Sequence, residues 1–455
     1  MSFSNIDQLA LGNLLQIAFS NGVRNQISQD FRDFEMIKRA RVNSSVAREL
    51  RFMLQLGYGP GAIAYRNPGT SGRSFPTAQS ASVAEYTAKF KEINGTIELD
   101  YSLFDRVRKS PEKYADYLAI EIDSKASAAK RRIAADLYGD GTGVMGTIAS
   151  ASGSTTQTVT LSTANTARGH VGFFEFQDLL VHYAANGGAG STVTVSSGTF
   201  SHWRVLSKDR ENAQVVLQAV NTAGADVDAT SWTPVAGEVF YRLGQSEISD
   251  IPNLGSISDY GTVTTVMPGL ETLAAADGRS VFGIAMSGVT AGSRIDAGAN
   301  AIDVKYIQKV MDKAKVAVGQ DRYRWKMMSM APETQAALIE SREADRRFMT
   351  VDDNKRGVKF FAYVHGNDTL ECYTSEYTPP KRIYVLPETK AGEKVIEYHG
   401  TDFESVKGPG KEDWFLKPGS SGGFVNVMTS FLQSYGIIIA KHPAAIAVVE
   451  NFTNS

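Results

Sequence analysis

The longest regular pattern in the chain lies between Ser110 and Gly146. Tyr114, Leu118, Ile122, Ala126, Ala129, Ile133 and Leu137 recur there at three- and four-residue steps and trace one apolar stripe. Ser110 suits an N-cap and Pro111 the first helical position, where a missing N–H costs nothing. Glu112 near the start and Arg131 and Arg132 near the end carry the signs the helix dipole favours, and Gly139 is expected to close the helix as its C′ residue. A helix of that span is roughly 40 Å long. It predicts a strut with a long floor beneath it.

Two shorter helices are predicted before it. Residues 4–20 place Ile6, Leu9, Leu14, Ile17 and Ala18 on a helical period, and residues 28–39 place Phe31, Phe34 and Ile37 at three-residue steps. Between them and the strut the period changes to two. Phe52, Leu54, Leu56 and Tyr58 alternate with Arg51, Met53, Gln55 and Gly57, as in a half-buried strand. A Gly-, Pro- and Ser-rich loop follows, from Gly59 to Ser82, carrying Arg66, Arg73 and Phe75. Tyr86, Ala88 and Phe90 then alternate with Glu85, Thr87, Lys89 and Lys91, and after Asn94–Gly95 the apolar parity passes to Ile97, Leu99, Tyr101 and Leu103. A parity switch requires a bulge or kink, expected at Asn94–Gly95. The stretch reads as a long bent hairpin, with hinge candidates at Gly57, Gly59, Gly61, Asn94 and Gly95. An isolated two-stranded ribbon is marginal in water, so this one needs a neighbour.

From Thr147 to about Thr265 short β-rich runs (156–161, 191–195, 215–220, 238–242) are split by turns. They predict a small sandwich or barrel with a helical interruption near 173–183. Farther on, Asn300 is expected to cap a helix holding Ile302, Tyr306, Val310, Ala314 and Ala317 and ended by Gly319. Strands are expected at 325–330, 383–386, 395–398 and 414–416, and a short helix at 332–340. A last element, 423–440, begins by alternating and becomes continuously apolar, as a strand does on leaving a one-sided sheet for a buried one. It is the expected floor of the strut.

Composition narrows the function. At 455 residues the chain exceeds one ordinary core, and a net charge of −2 argues against a general nucleic-acid or membrane binder. A single cysteine, Cys372, excludes an internal disulfide framework and points to a reducing compartment. The first residues lack a basic leader pattern and no apolar run reaches the ~20 residues of a membrane span, so a soluble intracellular product is expected.

The order of these parts resembles the tailed-bacteriophage major capsid proteins of the Hong Kong 97 fold. The stretches AAKRRIAADLYGDGTGVMGTI, PGLETL with SVFGIAMS, GVKFFAYVHGNDTLECYTSEYTPPKRIYVL and SYGIIIAKHPAAIAVV carry the likeness through their order and spacing. The resemblance implies an α+β fold of N-terminal arm (1–47), extended loop (48–105), spine helix of a peripheral domain (106–149), inserted β-rich domain (150–265), axial domain (266–390) and strands returning to the peripheral domain (391–455). It implies hexamers and pentamers tiling an icosahedral shell around double-stranded DNA, which the inner face touches non-specifically. It further implies assembly in the bacterial host cytoplasm, with no membrane, no cofactor, no metal and no catalytic role. A separate scaffold protein, a portal and a decoration protein are the implied partners. The intersubunit candidates are Ile6, Leu9, Leu14, Ile17, Phe31 and Phe34 on the arm, and Phe52, Leu54, Tyr58, Arg66, Arg73, Phe75, Tyr86, Lys89, Phe90 and Lys91 on the loop. An encapsulin-like nanocompartment shell is the alternative, and a hydrolase using Ser421 a distant one.

Several apparent chemical motifs lack the context their chemistry needs. Gly141-Thr-Gly143-Val-Met-Gly146 spells GxGxxG but leaves a helix for β-like sequence, the reverse of a dinucleotide loop. Gly419-Ser-Ser421-Gly-Gly423 spells GxSxG, yet a strand follows and no Asp separates Ser421 from His442. Ser127 and Lys130 match SxxK without companion motifs. His170, His182, His202, His365, His399 and His442 have no metal-site spacing, nor do Glu343, Asp345, Asp352 and Asp353.

Overall fold

The computed structural model describes residues 33, 36–42, 49–57, 82–100, 127–163, 168–184, 190–196, 198–243, 259–260, 266–287, 290–319, 322–341, 350–352, 359–365, 368–401, 404–405, 415–418 and 424–454. Within them the chain is mixed α+β, built on three β bodies and four helices: α1 (127–138), α2 (Leu270–Leu273), α3 (Val304–Val318) and α4 (Pro332–Glu340).

The first body is a six-stranded sheet organised around the 17-residue strand Phe424–Ala440. Ile396–Gly400 pairs antiparallel with its C-terminal end, and Lys38–Arg41 extends the sheet parallel to Ile396–Gly400. On its other side lies Lys91–Asp100, in unbroken register from Lys91 opposite Gly436 to Asp100 opposite Val427. The expected change of burial occurs along the long strand. Ser430 and Ser434 are buried while Phe431 is exposed, but Ile437, Ile438 and Ile439 are all fully buried. Gly436 faces Gly400 across the ladder, and a Cβ at Gly436 would lie 2.6 Å from the Tyr398 hydroxyl. The bare backbone here is the seat of the Tyr398 ring.

The second body is a closed ring. The strands Gly146–Gly153, Thr156–Leu161, Gln214–Asn221, Phe200–Asp209, Leu179–Tyr183 and Val239–Arg242 pair in that order, and the last pairs back with the first, all antiparallel. Alternate residues point inward, so Val159, Leu161, Trp203, Val205, Val215, Leu217 and Phe240 fill the barrel. The third body is a seven-stranded sheet with the order Ser293–Asp296, Ala447–Glu450, Arg382–Thr389, Tyr323–Met330, Asp368–Thr374, Lys359–His365, Thr350–Asp352. The buried face of α3 (Ile307, Val310, Met311, Ala314) shares a core with Trp325, Ile383 and Val385 of this sheet.

Several expectations are corrected. Residues 38–41 form a strand and not the end of a helix over 28–39, because Lys38–Arg41 finds an open ladder beside Ile396–Gly400. The helical interruption near 173–183 is a single 3-10 turn, Val171–Phe173, followed by the barrel strand Leu179–Tyr183, whose pairing overrides its weak helical period. Asp303, not Asn300, caps α3 by accepting from the Lys305 amide, while Gly319 ends it at φ 89° as expected. Gly139 follows α1, but the left-handed residues that turn the chain are Gly141 and Gly143. The kink in the hairpin lies at Phe90, not at Asn94–Gly95. Tyr86 and Ala88 face inward before it, Lys91 and Ile93 take the inner parity after it, and Asn94–Gly95 pairs straight through with Gln433 and Leu432. At its described end the strut also meets the seven-stranded sheet, with the Tyr138 and Tyr384 ring centroids 5.9 Å apart, while Ile133, Leu137 and Tyr138 share one core with Ile437, Ile438 and Ile439 of the long strand.

Candidate assembly surface

The hairpin forms a two-stranded sheet of its own, Glu49–Gly57 against Ser82–Lys89, with a register shift between Gln55 and Gly57. Alternation gives it two faces with different fates. The inner face is covered by its own chain. Phe52 stacks on Tyr86 (5.2 Å), Tyr86 stacks on Phe282 (5.4 Å), and Phe52 also meets the His399 ring edge-on at 5.7 Å. Leu54 and Phe90 are half-buried against the same core. Tyr86, 4% exposed, is therefore not available to a neighbour, and Phe52, Leu54 and Phe90 are largely spent on their own subunit. The outer face holds Glu49, Arg51, Met53, Val83, Glu85 and Lys89, among which Arg51 pairs with Glu49 and Glu85 at 3.7 Å. Met53 is 77% and Val83 56% exposed. Among the described side chains these two are the large apolar ones the ribbon offers outward; they share the otherwise polar parity of each strand, so alternation alone does not mark them. Lys89 lies on this outer face; Lys91, beyond the kink, does not share it.

Of the remaining candidates, Ile6, Leu9, Leu14, Ile17, Phe31, Phe34, Tyr58, Gly59, Gly61, Arg66, Arg73 and Phe75 lie outside the described residues, as do Glu343, Asp345, Asp353 and Ser421. The chain on either side of Ser421 consists of two antiparallel strands, Pro418 opposite Phe424, so the strand-to-helix elbow of a hydrolase is not what flanks it. The GxGxxG stretch turns at Gly141 and Gly143, fixed by Asp140, whose Oδ1 accepts from the Thr142 amide (3.0 Å) and hydroxyl (2.5 Å). It then enters the first barrel strand, with no helix to meet a pyrophosphate. Lys130 of the SxxK match is fully buried in α1. The PGLETL stretch has a packing role: a Cβ at Gly269 would lie 2.2 Å from the Asp136 carbonyl oxygen at the end of α1, and Thr272 Oγ1 donates to the Asp140 carbonyl at 2.7 Å. Among the described residues no three His, Cys, Asp or Glu side chains gather into a metal-holding group, and no helix is long and apolar enough to cross a membrane.

The histidines and carboxylates instead hold the bodies together. Four residues, Ser375 to Thr378, form a junction. Asp33 is buried there; its Oδ2 accepts from Ser375 Oγ (3.2 Å) and its Oδ1 from the Tyr138 hydroxyl (2.7 Å). Since the single Tyr138 proton goes to Asp33, Ser329 Oγ donates to Tyr138 (2.7 Å) and Thr378 to Ser329 (3.1 Å). Burial pushes the Asp33 carboxyl up despite the hydroxyls, and neighbouring Glu376 adds to the rise. From the barrel side, His170 Nδ1 accepts from the Gly172 amide (3.0 Å), so Nε2 carries the proton and donates to the Tyr377 carbonyl (3.0 Å). Burial holds His170 neutral, with its pKa lowered to about 3, and nearby Arg210 and Lys208 push the same way. Arg210 Nη1 donates to the Glu376 carbonyl and its Nη2 reaches Glu333 at 3.0 Å, while the Tyr377 hydroxyl donates to Glu175 at 2.8 Å. A second network joins Arg294 and Arg382 to Glu271 and Glu450. Arg294 Nη2 lies 2.7 Å from Glu271 and 2.5 Å from Glu450, and the Tyr384 hydroxyl donates to Glu271 at 3.0 Å.

No family model and no curated protein matches the chain. Solved structures do. The chain is similar to a chain of the cyanophage A-1(L) capsid asymmetric unit at 9% identity and a TM-score of 0.44, over 94% of this chain and 95% of that one. It is similar to the SrpI encapsulin of Synechococcus elongatus at 8% identity and a TM-score of 0.42, over 92% and 87%. It is similar to a chain of the capsid of a native GTA particle at 10% identity and a TM-score of 0.42, over 92% and 89%.

Proposed function

We propose that this chain is a major capsid protein of the Hong Kong 97 type, whose copies assemble as hexamers and pentamers into the icosahedral shell enclosing double-stranded phage DNA. One observation carries the reading. The ribbon's inner face is covered by its own chain, but among the described residues it pairs with no third strand and its outer face turns Met53 and Val83 to solvent, an unpaired strand edge beside apolar side chains of the kind another copy can cover. Obligate interfaces bury about 2,000 Å² or more, and a ribbon laid over a neighbour is a physical route to that area. In this reading the six-stranded sheet and α1 belong to the peripheral domain, the seven-stranded sheet with α3 and α4 to the axial domain, and the barrel to an insertion. The arm and the loop bearing Arg66 and Arg73 reach adjoining copies. A separate scaffold, a portal and a decoration protein complete the head, and the stability of the chain belongs largely to the lattice.

The test is electron microscopy of the purified protein, alone and with its neighbouring gene products. Closed shells are expected from the natural chain. Replacing both Met53 and Val83 by Asp is expected to leave soluble capsomers or subunits with unchanged tryptophan fluorescence. A compact monomer that forms no shell under any of these conditions would overturn the proposal.

A further inference from the structure

The junction at Ser375–Thr378 joins two attachments made by different residues. One is the anchor of the chain leading into the Lys38–Arg41 strand, where Asp33 is held by Ser375 and Tyr138. The other is the dock of the barrel, where His170, Lys208 and Arg210 reach the backbone or side chain of Glu376 and Tyr377. The arm side holds Ser375 and the barrel side holds Glu376 and Tyr377 of the same four-residue loop, and bonds within the loop tie them together: the Tyr377 amide donates to Ser375 Oγ at 3.2 Å and the Thr378 amide to the Ser375 carbonyl at 3.3 Å. Ser375 Oγ thus accepts from the barrel side of the loop while donating to the arm side.

Charge links the two as well. Glu376 lies near enough to Asp33 to act on it as a like charge, and Lys208 Nζ sits 3.4 Å from Glu376 Oε2. The other charged groups about the junction among the described residues are Arg210 and Glu333 on the barrel and α4 sides, and Glu175, which pairs at 3.3 Å with Arg131 in the first half of α1. While the barrel is docked, Lys208 and Arg210 offset the charge of Glu376. Once it leaves, Glu376 confronts a buried carboxylate whose partners are all hydroxyls.

We propose that the Ser375–Thr378 loop is a coupling joint, so that loss of the Asp33 anchor loosens the barrel dock and loss of the barrel dock loosens the Asp33 anchor. Coupling of this kind is reciprocal by thermodynamic necessity. It is built into one copy and stands apart from the shell reading, since it needs no neighbour.

Amide hydrogen exchange on the full-length protein tests it. Asp33→Ala is expected to raise exchange at least tenfold at the barrel-side amides of Gly172, Phe173 and Phe174, while the amides of Val310–Ala314 in α3 stay unchanged. Arg210→Met is expected to raise exchange at Lys38–Val42 by a similar factor. In the double variant the rise at each segment is expected to fall short of the product of the single effects by fivefold or more. Asp33→Asn, which keeps size and an acceptor, provides the same comparison if the alanine variant does not fold. Effects confined to the mutated side, or singles that multiply without shortfall, would overturn the coupling.

Discussion

Replacing His170 by asparagine isolates a single acid-sensitive bond pair. In the folded chain Nδ1 accepts from the Gly172 amide and Nε2–H donates to the Tyr377 carbonyl. Protonation puts hydrogen on both nitrogens, turns the acceptor into a donor facing an N–H, and places a cation beside Arg210 and Lys208. The folded pKa of about 3 lies below the ordinary 6.5, so the folded state binds fewer protons than the unfolded one. The contribution is therefore complete above pH 6.5 and is lost as pH falls toward 3. At pH 4 the loss is the 2.5-unit interval below 6.5, roughly 3 kcal/mol at 1.36 kcal/mol per unit. Asparagine keeps the cap on the Gly172 amide but is too short to reach Tyr377, and it does not titrate. The assay is the urea midpoint followed by tryptophan fluorescence between pH 7 and pH 4. The natural chain is expected to be more stable than His170→Asn at pH 7 by ~1 kcal/mol for the lost bond, with the gap closing and reversing toward pH 4. Parallel pH profiles for the two proteins would refute the reasoning.

Further expectations rest on other contacts. Glu450, held at a pKa of about 2 by hydrogen bonds and charge from Arg294 and Arg382, contributes stability that is present above pH 4.5 and lost as pH falls toward 2. Glu450→Gln leaves two nearly buried guanidinium groups with Glu271 alone and is expected to cost about 3 kcal/mol in urea unfolding at pH 7. Gly436→Val drives side-chain atoms into Tyr398 and is expected to cost about 1–3 kcal/mol, relieved in part by Tyr398→Phe, which removes the hydroxyl at 2.6 Å.

Local pattern determined much of the architecture. Period-two alternation located the ribbon strands, the barrel strand Thr156–Leu161 and the long strand Phe424–Ala440, because a sheet with one wet face must alternate and one buried on both sides must not. Pro332 at a helix start and Gly319 at a helix end likewise act within a few residues, and α4 and the end of α3 were legible for that reason. What tertiary structure alone decided was which surfaces meet. Lys38–Arg41 became a strand because a ladder stood open beside Ile396–Gly400, and Leu179–Tyr183 because the barrel required a sixth member. The inner face of the ribbon closed on Phe282 of its own chain, which moved the outward apolar surface from Tyr86 and Phe52 to Met53 and Val83. The Asp33 and His170 attachments were invisible for the same reason: hydrogen bonds between residues hundreds of positions apart leave no period in the sequence, and only the folded chain brings a carboxyl, four hydroxyls and an imidazole to one short loop.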